Sequence, residues 1–195
     1  MRIAGILLAA GRGARFGGDK LLAPLVAQSH GVAAGTPLGV ASAMHLVAQV
    51  PDSLAVVRPR DAALSALLRA AGLRVEPCAA AEDGMGASLA RGVVATRDAD
   101  GWIVALADMP WISPATIGVV AAALDVGAIV VPAYRGRRGH PVGFARRHYE
   151  ALAALQGDAG ARSLLERHPH RVTVIDVDDP GIIRDVDTPA DLLAG

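Results

Sequence analysis

The sequence predicts an α/β fold in which a mostly parallel sheet carries helices on both faces. Two observations predict it. Short apolar runs typical of buried strands alternate with alanine- and leucine-rich segments of helical spacing, and the chain opens on such a buried run, Ile3 to Ala9. Sheets of this kind are connected by right-handed crossovers and bind ligands outside the carboxyl ends of their strands. We therefore expect functional residues directly after the strands.

The predicted elements follow one another in a regular order. Strands are predicted for short apolar runs bounded by turn residues, at 3–9, 54–57, 73–76, 102–107, 128–131, 142–145 and 172–177. Helices are predicted where apolar residues recur at helical spacing, at 38–50, 62–71, 85–96, 114 to about Val126, and 160–168.

Capping residues mark where several of these helices begin. Asp61 is a natural N-cap for the helix that starts at residue 62. Ser113 is an N-cap followed by a proline in the first helical position. Near the end of the chain, Thr188 and Asp191 have the spacing of an N-cap and its third-position acid, which predicts a last short helix.

Length, charge and cysteine content exclude several classes of protein. A chain of 195 residues without repeat or linker is predicted to form one domain, 1–195. Lys and Arg number 19, as do Asp and Glu, so neither nucleic acid nor a membrane surface is an expected partner. The single cysteine, Cys78, excludes an internal disulfide and is interpreted as a buried thiol of a cytoplasmic protein. The opening apolar run is too short to span a bilayer, and we interpret it as a strand rather than an export signal.

The segment LAAGRGARFGGDK, from Leu8 to Lys20, is the sharpest feature of the sequence. Glycines allow backbone N–H groups to wrap an anion, and the interspersed cations, Arg12, Arg15 and Lys20, add positive charge. The dinucleotide pattern G-x-G-x-x-G fails because Phe16 occupies its last glycine position, and the Walker pattern fails as well. We interpret the segment as a polyphosphate-binding turn rather than a solvated one.

The motif LAAGRGARFGGDKLL closely resembles the signature of the molybdenum cofactor nucleotidyltransferases, a family within a wider group that includes sugar-phosphate nucleotidyltransferases. The resemblance continues through five further motifs: EDGMGASLARGV, LADMP, GRRGHPVGF, GDAGARSLL and DVDTPADL. It is strongest to the cytidylyltransferase branch, since the guanylyl branch usually carries glycine in place of Ala10. The resemblance implies a three-layer α/β/α Rossmann-like nucleotidyltransferase fold and Mg²⁺ as the cofactor.

The resemblance also implies the site residues. The nucleotide-binding set comprises Leu8, Ala9, Ala10, Gly11, Arg12, Gly13, Arg15, Lys20, Ser88 and Asp108. Within it, Arg15, Lys20 and Asp108 would be catalytic. Asp108 follows a predicted strand, which independently places its carboxylate at the ligand-binding edge, and the resemblance assigns it to the metal together with Asp187. The alternatives are an exposed loop acid at Asp108, helix capping alone at Asp187, and a plain helix start at Ser88.

Residues near His140 are candidates for the second substrate. His140 and Arg138 lie in the basic segment GRRGHPVGF and are expected to bind the phosphate of an acceptor, because guanidinium geometry matches phosphate. A solvated basic hairpin is the alternative. The stretch Gln28 to Pro37 is a predicted surface loop, longer than is common in the family, so the acceptor pocket or its lid cannot be carried over from the resemblance. Asp176, Asp178 and Asp179 are interpreted as a solvated acidic turn.

These residues favour a nucleotidyltransferase that moves CMP from CTP to a phosphate-bearing acceptor and releases pyrophosphate. By resemblance the acceptor is molybdenum-bearing molybdopterin, and the product would serve a molybdenum hydroxylase. The alternatives are a guanylyltransferase, another NTP transferase with a sugar or alcohol phosphate acceptor, and a non-catalytic protein that delivers finished cofactor. A redox role is a further alternative, although no cofactor fingerprint in the sequence supports it.

Overall fold

An eight-stranded sheet forms the centre of the computed structural model, which describes residues 1–11, 13, 15–124, 129–157, 160–167 and 169–193. Within those ranges the strands are β1 (Ile3–Leu8), β2 (Ser53–Val57), β3 (Arg74–Pro77), β4 (Gly101–Leu106), β5 (Ile129–Tyr134), β6 (Arg137–Arg138), β7 (Val142–Ala145) and β8 (Val172–Asp176). Both faces of β1, β2 and β4 are buried, which explains their continuous apolar runs.

The strand order is β3-β2-β1-β4-β7-β5-β6, and β8 pairs with β5. The pairs within β3-β2-β1-β4 are parallel, as is β5 with β8, whereas β7 runs antiparallel between β4 and β5. The predicted mostly parallel sheet is therefore confirmed. The antiparallel strand has a consequence for function: because Val142 pairs with Val104, the residues just before β7 lie beside the carboxyl end of β4.

Helices cover both faces of the sheet and complete three layers. They are α1 (Leu38–Gln49), α2 (Ala62–Ala70), α3 (Met85–Ala95), α4 (Pro114–Ala123), α5 (Tyr149–Ala153), α6 (Arg162–Arg167) and α7 (Pro189–Leu193). Apolar residues of α1, α2 and α4 pack on one face, and those of α3, α5 and α6 on the other. Alternate residues of one strand serve the two cores, since Ile103 faces the first while Trp102 and Val104 face the second. The expected α/β/α architecture is confirmed.

Most predicted elements are present, with ends displaced by a few residues. Neither α5 nor the two-residue β6 is predicted from the sequence, because both are too short to show periodicity. Asp61 precedes α2, but its carboxylate accepts from Arg58 Nε at 2.8 Å instead of capping the helix. The predicted positions Val126, Ala128 and His168 lie outside the described residues.

The segment from Gln28 to Pro37 lies mostly at the surface, as predicted, and two buried residues fasten it to the protein. Ser29 is buried, and its hydroxyl donates to the Pro110 carbonyl at 2.8 Å. His30 Nε2 lies 3.0 Å from the Trp111 carbonyl oxygen, and Val32 packs in a small apolar cluster. The loop therefore covers the segment that follows β4. No helix within the described ranges combines the length and apolar character needed to cross a membrane.

Candidate functional site

Three residues that are far apart in the sequence meet at the carboxyl end of β4. Lys20 Nζ lies 2.8 Å from Asp108 Oδ2 and 3.9 Å from Asp187 Oδ1. On the outer side, Arg15 Nη2 lies 3.0 Å from Asp187 Oδ2. The structure thus brings together four predicted site residues, from the glycine-rich turn, the end of β4 and the C-terminal segment, in alternating positive and negative charge.

The glycine-rich turn aims Lys20 by bending sharply after β1. Gly13 has φ +56°, a conformation that only glycine adopts without strain, and its carbonyl accepts from the Phe16 N–H at 2.9 Å. A 3-10 turn over Lys20–Leu22 ends the segment and holds the lysine backbone. The predicted ligand-binding residue Arg12 lies outside the described residues.

A cavity of about 300 Å³ opens beside the lysine and reaches the start of α3. Its lining includes predicted nucleotide-binding residues, namely Leu8, Ala10, Gly11, Lys20, Ser88 and Asp108. Gly84 and Met85, from the EDGMG motif, form part of the opposite wall. Ala9 is buried, and its N–H donates to the Val56 carbonyl within the sheet, so this N–H group is not available to a ligand. The volume is at the lower end of the range for small-molecule sites.

Asp108 and Asp187 fit a divalent cation. Both carboxylates reach one cationic atom, Lys20 Nζ, so they already converge on a single point. Mg²⁺ and similar hard cations prefer oxygen ligands and are commonly held by one or two carboxylates together with water and substrate phosphates. Among the described residues no group of three or more His, Cys, Asp or Glu is arranged around one metal position. The donor set therefore suits a cation that arrives with a phosphate ligand.

Contacts from several parts of the chain hold Asp187 in place. The Val186 N–H donates to the Asp108 carbonyl at 2.9 Å, which ties the two aspartate segments together. Asp191 Oδ2 accepts from the Thr188 N–H at 2.7 Å, the Thr188 hydroxyl at 2.9 Å and the Asp187 N–H at 3.0 Å. These donors, the Thr188 N–H first among them, lower the pKa of Asp191. The predicted capping role of Asp191 is confirmed, and the Asp187 carboxylate faces Lys20.

Asp179 is an important residue of this region that the sequence interpretation missed. It was predicted to lie in a solvated acidic turn, but its side chain is 6% exposed and accepts three hydrogen bonds. The donors are the Ser113 N–H at 2.9 Å, the Thr116 hydroxyl at 2.7 Å and the Gly181 N–H at 2.9 Å. Asp179 therefore fastens the chain that leads to Asp187 onto the start of α4. Two of these donors, on Ser113 and Thr116, lie over sixty positions away, so no local pattern could have revealed them.

The two predicted acceptor-binding residues differ in position. The backbone N–H of His140 donates to the Ile182 carbonyl at 2.9 Å, and the buried ring Nδ1 has no hydrogen-bond partner among the described residues. His140 directly precedes Pro141 and β7, and the pairing of β7 with β4 therefore brings it to the carboxyl end of β4. Burial lowers the pKa of His140, and the Asp108 carboxylate opposes that shift. Arg138 is exposed on β6, and in the part of the chain that the structure describes it makes no ion pair with the site. Only His140 is brought to the site.

A Rossmann-like three-layer fold with a cationic glycine turn and paired carboxylates defines a nucleotide-handling class of protein. Residues 5–172 match the model of the MobA-like NTP transferase domain, and the chain belongs to this family. The resemblance stated from the motifs is thereby confirmed.

Two relatives match almost the whole chain. One, from Paenarthrobacter nicotinovorans, is named nicotine blue oxidoreductase; it is 32% identical over 195 residues, 95% of this chain and 92% of its own length. The other is the purine catabolism protein PucB of Bacillus subtilis (strain 168), 30% identical over 197 residues, 95% of this chain and 91% of its own. Because their names differ, they do not define one substrate.

Solved structures agree with the fold. Rv0371c from Mycobacterium tuberculosis H37Rv has a TM-score of 0.78 and 29% identity, covering 100% of this chain and 97% of its own. A structure of Rv0371c in complex with manganese has a TM-score of 0.72 and 27% identity, covering 100% and 97%. Divalent-metal binding therefore occurs in a protein of the same fold.

Proposed function

We propose that this protein is a divalent-cation-dependent cytidylyltransferase that transfers CMP from CTP to a phosphate-bearing acceptor, in particular molybdenum-bearing molybdopterin. The observation that carries the proposal is the convergence of Asp108 and Asp187 on Lys20 Nζ, beside a cavity that begins at the glycine-rich turn. Family membership supports an enzyme that acts on a nucleoside triphosphate. The choice of CTP depends on Ala10 and on the resemblance of the motifs.

The reaction is an in-line displacement at phosphorus. An ionised oxygen of the acceptor phosphate attacks the α-phosphorus of CTP, and the new P–O bond forms there. The bond from that phosphorus to the oxygen bridging toward the β-phosphate breaks, and pyrophosphate leaves with the electron pair. No proton has to be removed from an ionised phosphate monoester, so the protein mainly positions the reactants and balances charge.

The residues of the candidate site each have a part in this scheme. N–H groups of the turn around Gly11 and Gly13 bind the triphosphate, and Lys20 and Arg15 neutralise the charge of the departing pyrophosphate. Asp108 and Asp187 hold the divalent cation, which is Mg²⁺ in our proposal. When bound, that cation supplies electrostatic stabilisation and orients the phosphates. Ser88, which lines the same cavity, would hydrogen-bond the nucleoside.

The acceptor would approach from the side of His140. Its buried Nδ1, which has no partner among the described residues, is available for a hydrogen bond, and burial lowers the pKa of the ring, which favours its neutral form. Arg138 would bind the acceptor phosphate only if the β5–β6 hairpin or the acceptor brings the two together. The product, a cytosine dinucleotide form of the cofactor, would pass to a molybdenum hydroxylase in the cytoplasm.

Thermal unfolding with each of CTP, GTP, ATP and UTP plus Mg²⁺ tests the nucleotide. A ligand that binds only the folded state raises the melting temperature, so CTP should give the largest rise. Pyrophosphate release is then measured with molybdenum-bearing molybdopterin and with sugar and alcohol phosphates. A preference for GTP would contradict the cytidylyl assignment. Cofactor binding without any nucleotide turnover would instead indicate the delivery protein.

The 32% identical relative named nicotine blue oxidoreductase favours a second candidate, a redox function. The direct test is oxidation of NADH or NADPH in the presence of a quinonoid dye, followed by absorbance. Hydride transfer from the nicotinamide to the dye, with no NTP-dependent stabilisation, would replace the transferase proposal.

A further inference from the structure

We propose that Lys20 occupies the cation position of the nucleotide-free protein and that a triphosphate opens this position by drawing the ammonium away. The divalent cation would then bind with the nucleotide or after it, not before. This inference rests on the proposed function, because it concerns the cation that serves the same site. It adds an order of binding that neither the family nor the named relatives supply.

The Lys20 ammonium occupies the point that a shared cation would take. Lys20 Nζ lies 2.8 Å from Asp108 Oδ2 and 3.9 Å from Asp187 Oδ1, so it stands between the two oxygens that a cation would share. The lysine side chain is 11% exposed, whereas Asp108 and Asp187 are 26% and 33% exposed. The carboxylates are thus reachable from solvent, but their common point is taken by a largely buried positive charge.

The charges of the two carboxylates are already balanced in the free protein. Arg15 contacts the other oxygen of Asp187 at 3.0 Å, so two cationic side chains already neutralise the two carboxylates. A dication entering between Asp108 and Asp187 would come close to Nζ with no anion left to compensate it. Repulsion between like charges is strong at a partly buried site. The ammonium must leave before the dication binds well.

The Lys20 side chain can leave the carboxylates without unfolding of the glycine-rich turn. Its N–H donates to the Gly18 carbonyl at 2.9 Å and its carbonyl accepts from the Ala23 N–H at 3.1 Å, so the backbone is fixed. The flexible four-carbon stem carries a compact charge that can be aimed elsewhere. Lys20 and Asp108 line the same cavity, and Gly11 lines it too. A triphosphate placed there offers the ammonium new anionic partners within reach of the side chain.

The consequence is a coupling between the two ligands. Once phosphate holds the ammonium, the carboxylates regain their negative charge and the phosphates add further oxygen ligands. The affinity for the cation rises, and by linkage the affinity for the nucleotide rises by the same factor. Lys20 would therefore weaken cation binding in the free protein and strengthen nucleotide binding.

Mn²⁺ titration followed by electron paramagnetic resonance tests this without nucleotide or turnover. We compare the wild type with Lys20→Met, which keeps the length of the stem but removes the charge. Lys20→Met should bind Mn²⁺ at least about tenfold more tightly than the wild type, in the range usual for coupled sites. Lys20→Arg restores a cation, so its affinity for Mn²⁺ should be close to the weak affinity of the wild type. This variant also keeps the test possible if Lys20→Met fails to fold.

Arg58→Met is the matched control. It removes one positive charge from the wall of the adjoining cavity, where Arg58 pairs with Asp61 rather than with either metal-binding carboxylate. Its Mn²⁺ affinity should stay within about twofold of the wild type. A rise equal to that of Lys20→Met would overturn the proposal, because the effect would then be one of general charge.

The result that overturns the order of binding differs from the one that overturns the function. Equal Mn²⁺ affinity in the wild type and Lys20→Met, with Asp108→Asn abolishing it in both, would contradict the role of Lys20 and leave nucleotidyl transfer intact. Absence of stabilisation by every nucleoside triphosphate would contradict the transferase itself. Tighter Mn²⁺ binding by Lys20→Met, reversed in Lys20→Arg, supports the proposal.

Discussion

The two aspartates of the site are positioned in different ways. Asp108 lies two residues after the end of β4, and β4 is a buried central strand whose neighbours on both sides fix it over several residues. Asp187 lies in a segment without regular structure, held by Asp179 at one end and by Asp191 at the other. The first position is given by the sheet, whereas the second depends on a few hydrogen bonds to distant parts of the chain.

The site therefore has a rigid half, Asp108 at the end of β4, and a fastened half, the segment that carries Asp187. A Cβ at Gly181 would collide with the Trp111 carbonyl oxygen, so the fastened segment passes very close to the residues that follow β4. That close approach lets Val186 bond to the Asp108 carbonyl and aligns both carboxylates. Variants that release the segment should therefore disturb Asp187 while sparing Asp108.

The largest effect is expected from removing the rigid carboxylate. Asp108→Asn keeps the size of the side chain but loses the charge closest to Lys20, so pyrophosphate release should fall by about a hundredfold or more. Asp98→Asn, an exposed change without a contact to the site, is the control. Turnover within a few-fold of the wild type in a folded Asp108→Asn protein would remove Asp108 from the mechanism.

Asp179→Ala should have the next largest effect and distinguishes the two halves. It leaves three donors unsatisfied, two of them in buried hydrogen bonds, so the free energy of unfolding should fall by about 3 kcal/mol. Mn²⁺ binding should weaken as well, because Asp187 is no longer held. Urea unfolding and Mn²⁺ titration measure the two effects, with exposed Asp178→Ala as control. Lost stability with unchanged Mn²⁺ affinity would show that Asp179 does not position Asp187.

Asp191→Ala should have a smaller effect on the same half. Asp191 ties down the N–H groups of Asp187 and Thr188, so its loss should lower the melting temperature less than Asp179→Ala does. Because these donors lower the pKa of Asp191, its contribution is present above the ordinary value of 3.8 and is lost as the pH falls below it. A melting temperature that falls equally in the wild type and the variant on acidification would contradict this role.

The smallest effect is expected at the packed loop that covers the segment after β4. Burial lowers the pKa of His45, whose Nε2 lies 3.1 Å from the Ser29 carbonyl oxygen. Below the ordinary pKa of 6.5 the unfolded chain binds a proton at His45 that the folded protein does not bind. The free energy of unfolding therefore decreases as the pH is lowered. His45→Asn should flatten this dependence between about pH 7.5 and 5.5 in urea unfolding, unlike exposed His170→Asn. An unchanged slope in His45→Asn would contradict the assignment.

The same contrast explains what the sequence could predict. The glycine-rich turn, Asp108 and most strands carry local signals, because apolar runs, glycines and residues after strands have defined positions in an α/β sheet. Asp179 carries no such signal, since its role depends on Ser113 and Thr116. The packing of Ser29 likewise depends on Pro110, which is distant in the sequence. The lysine between the carboxylates is visible only in three dimensions.

A crystal structure with Mn²⁺ and a non-hydrolysable CTP analogue, read by anomalous scattering, tests the central claim most directly. We predict one manganese peak coordinated by Asp108, Asp187 and phosphate oxygens, with Lys20 Nζ moved from Asp108 to the phosphates. Manganese bound away from both aspartates, or Lys20 still paired with Asp108 beside a bound nucleotide, would contradict the account.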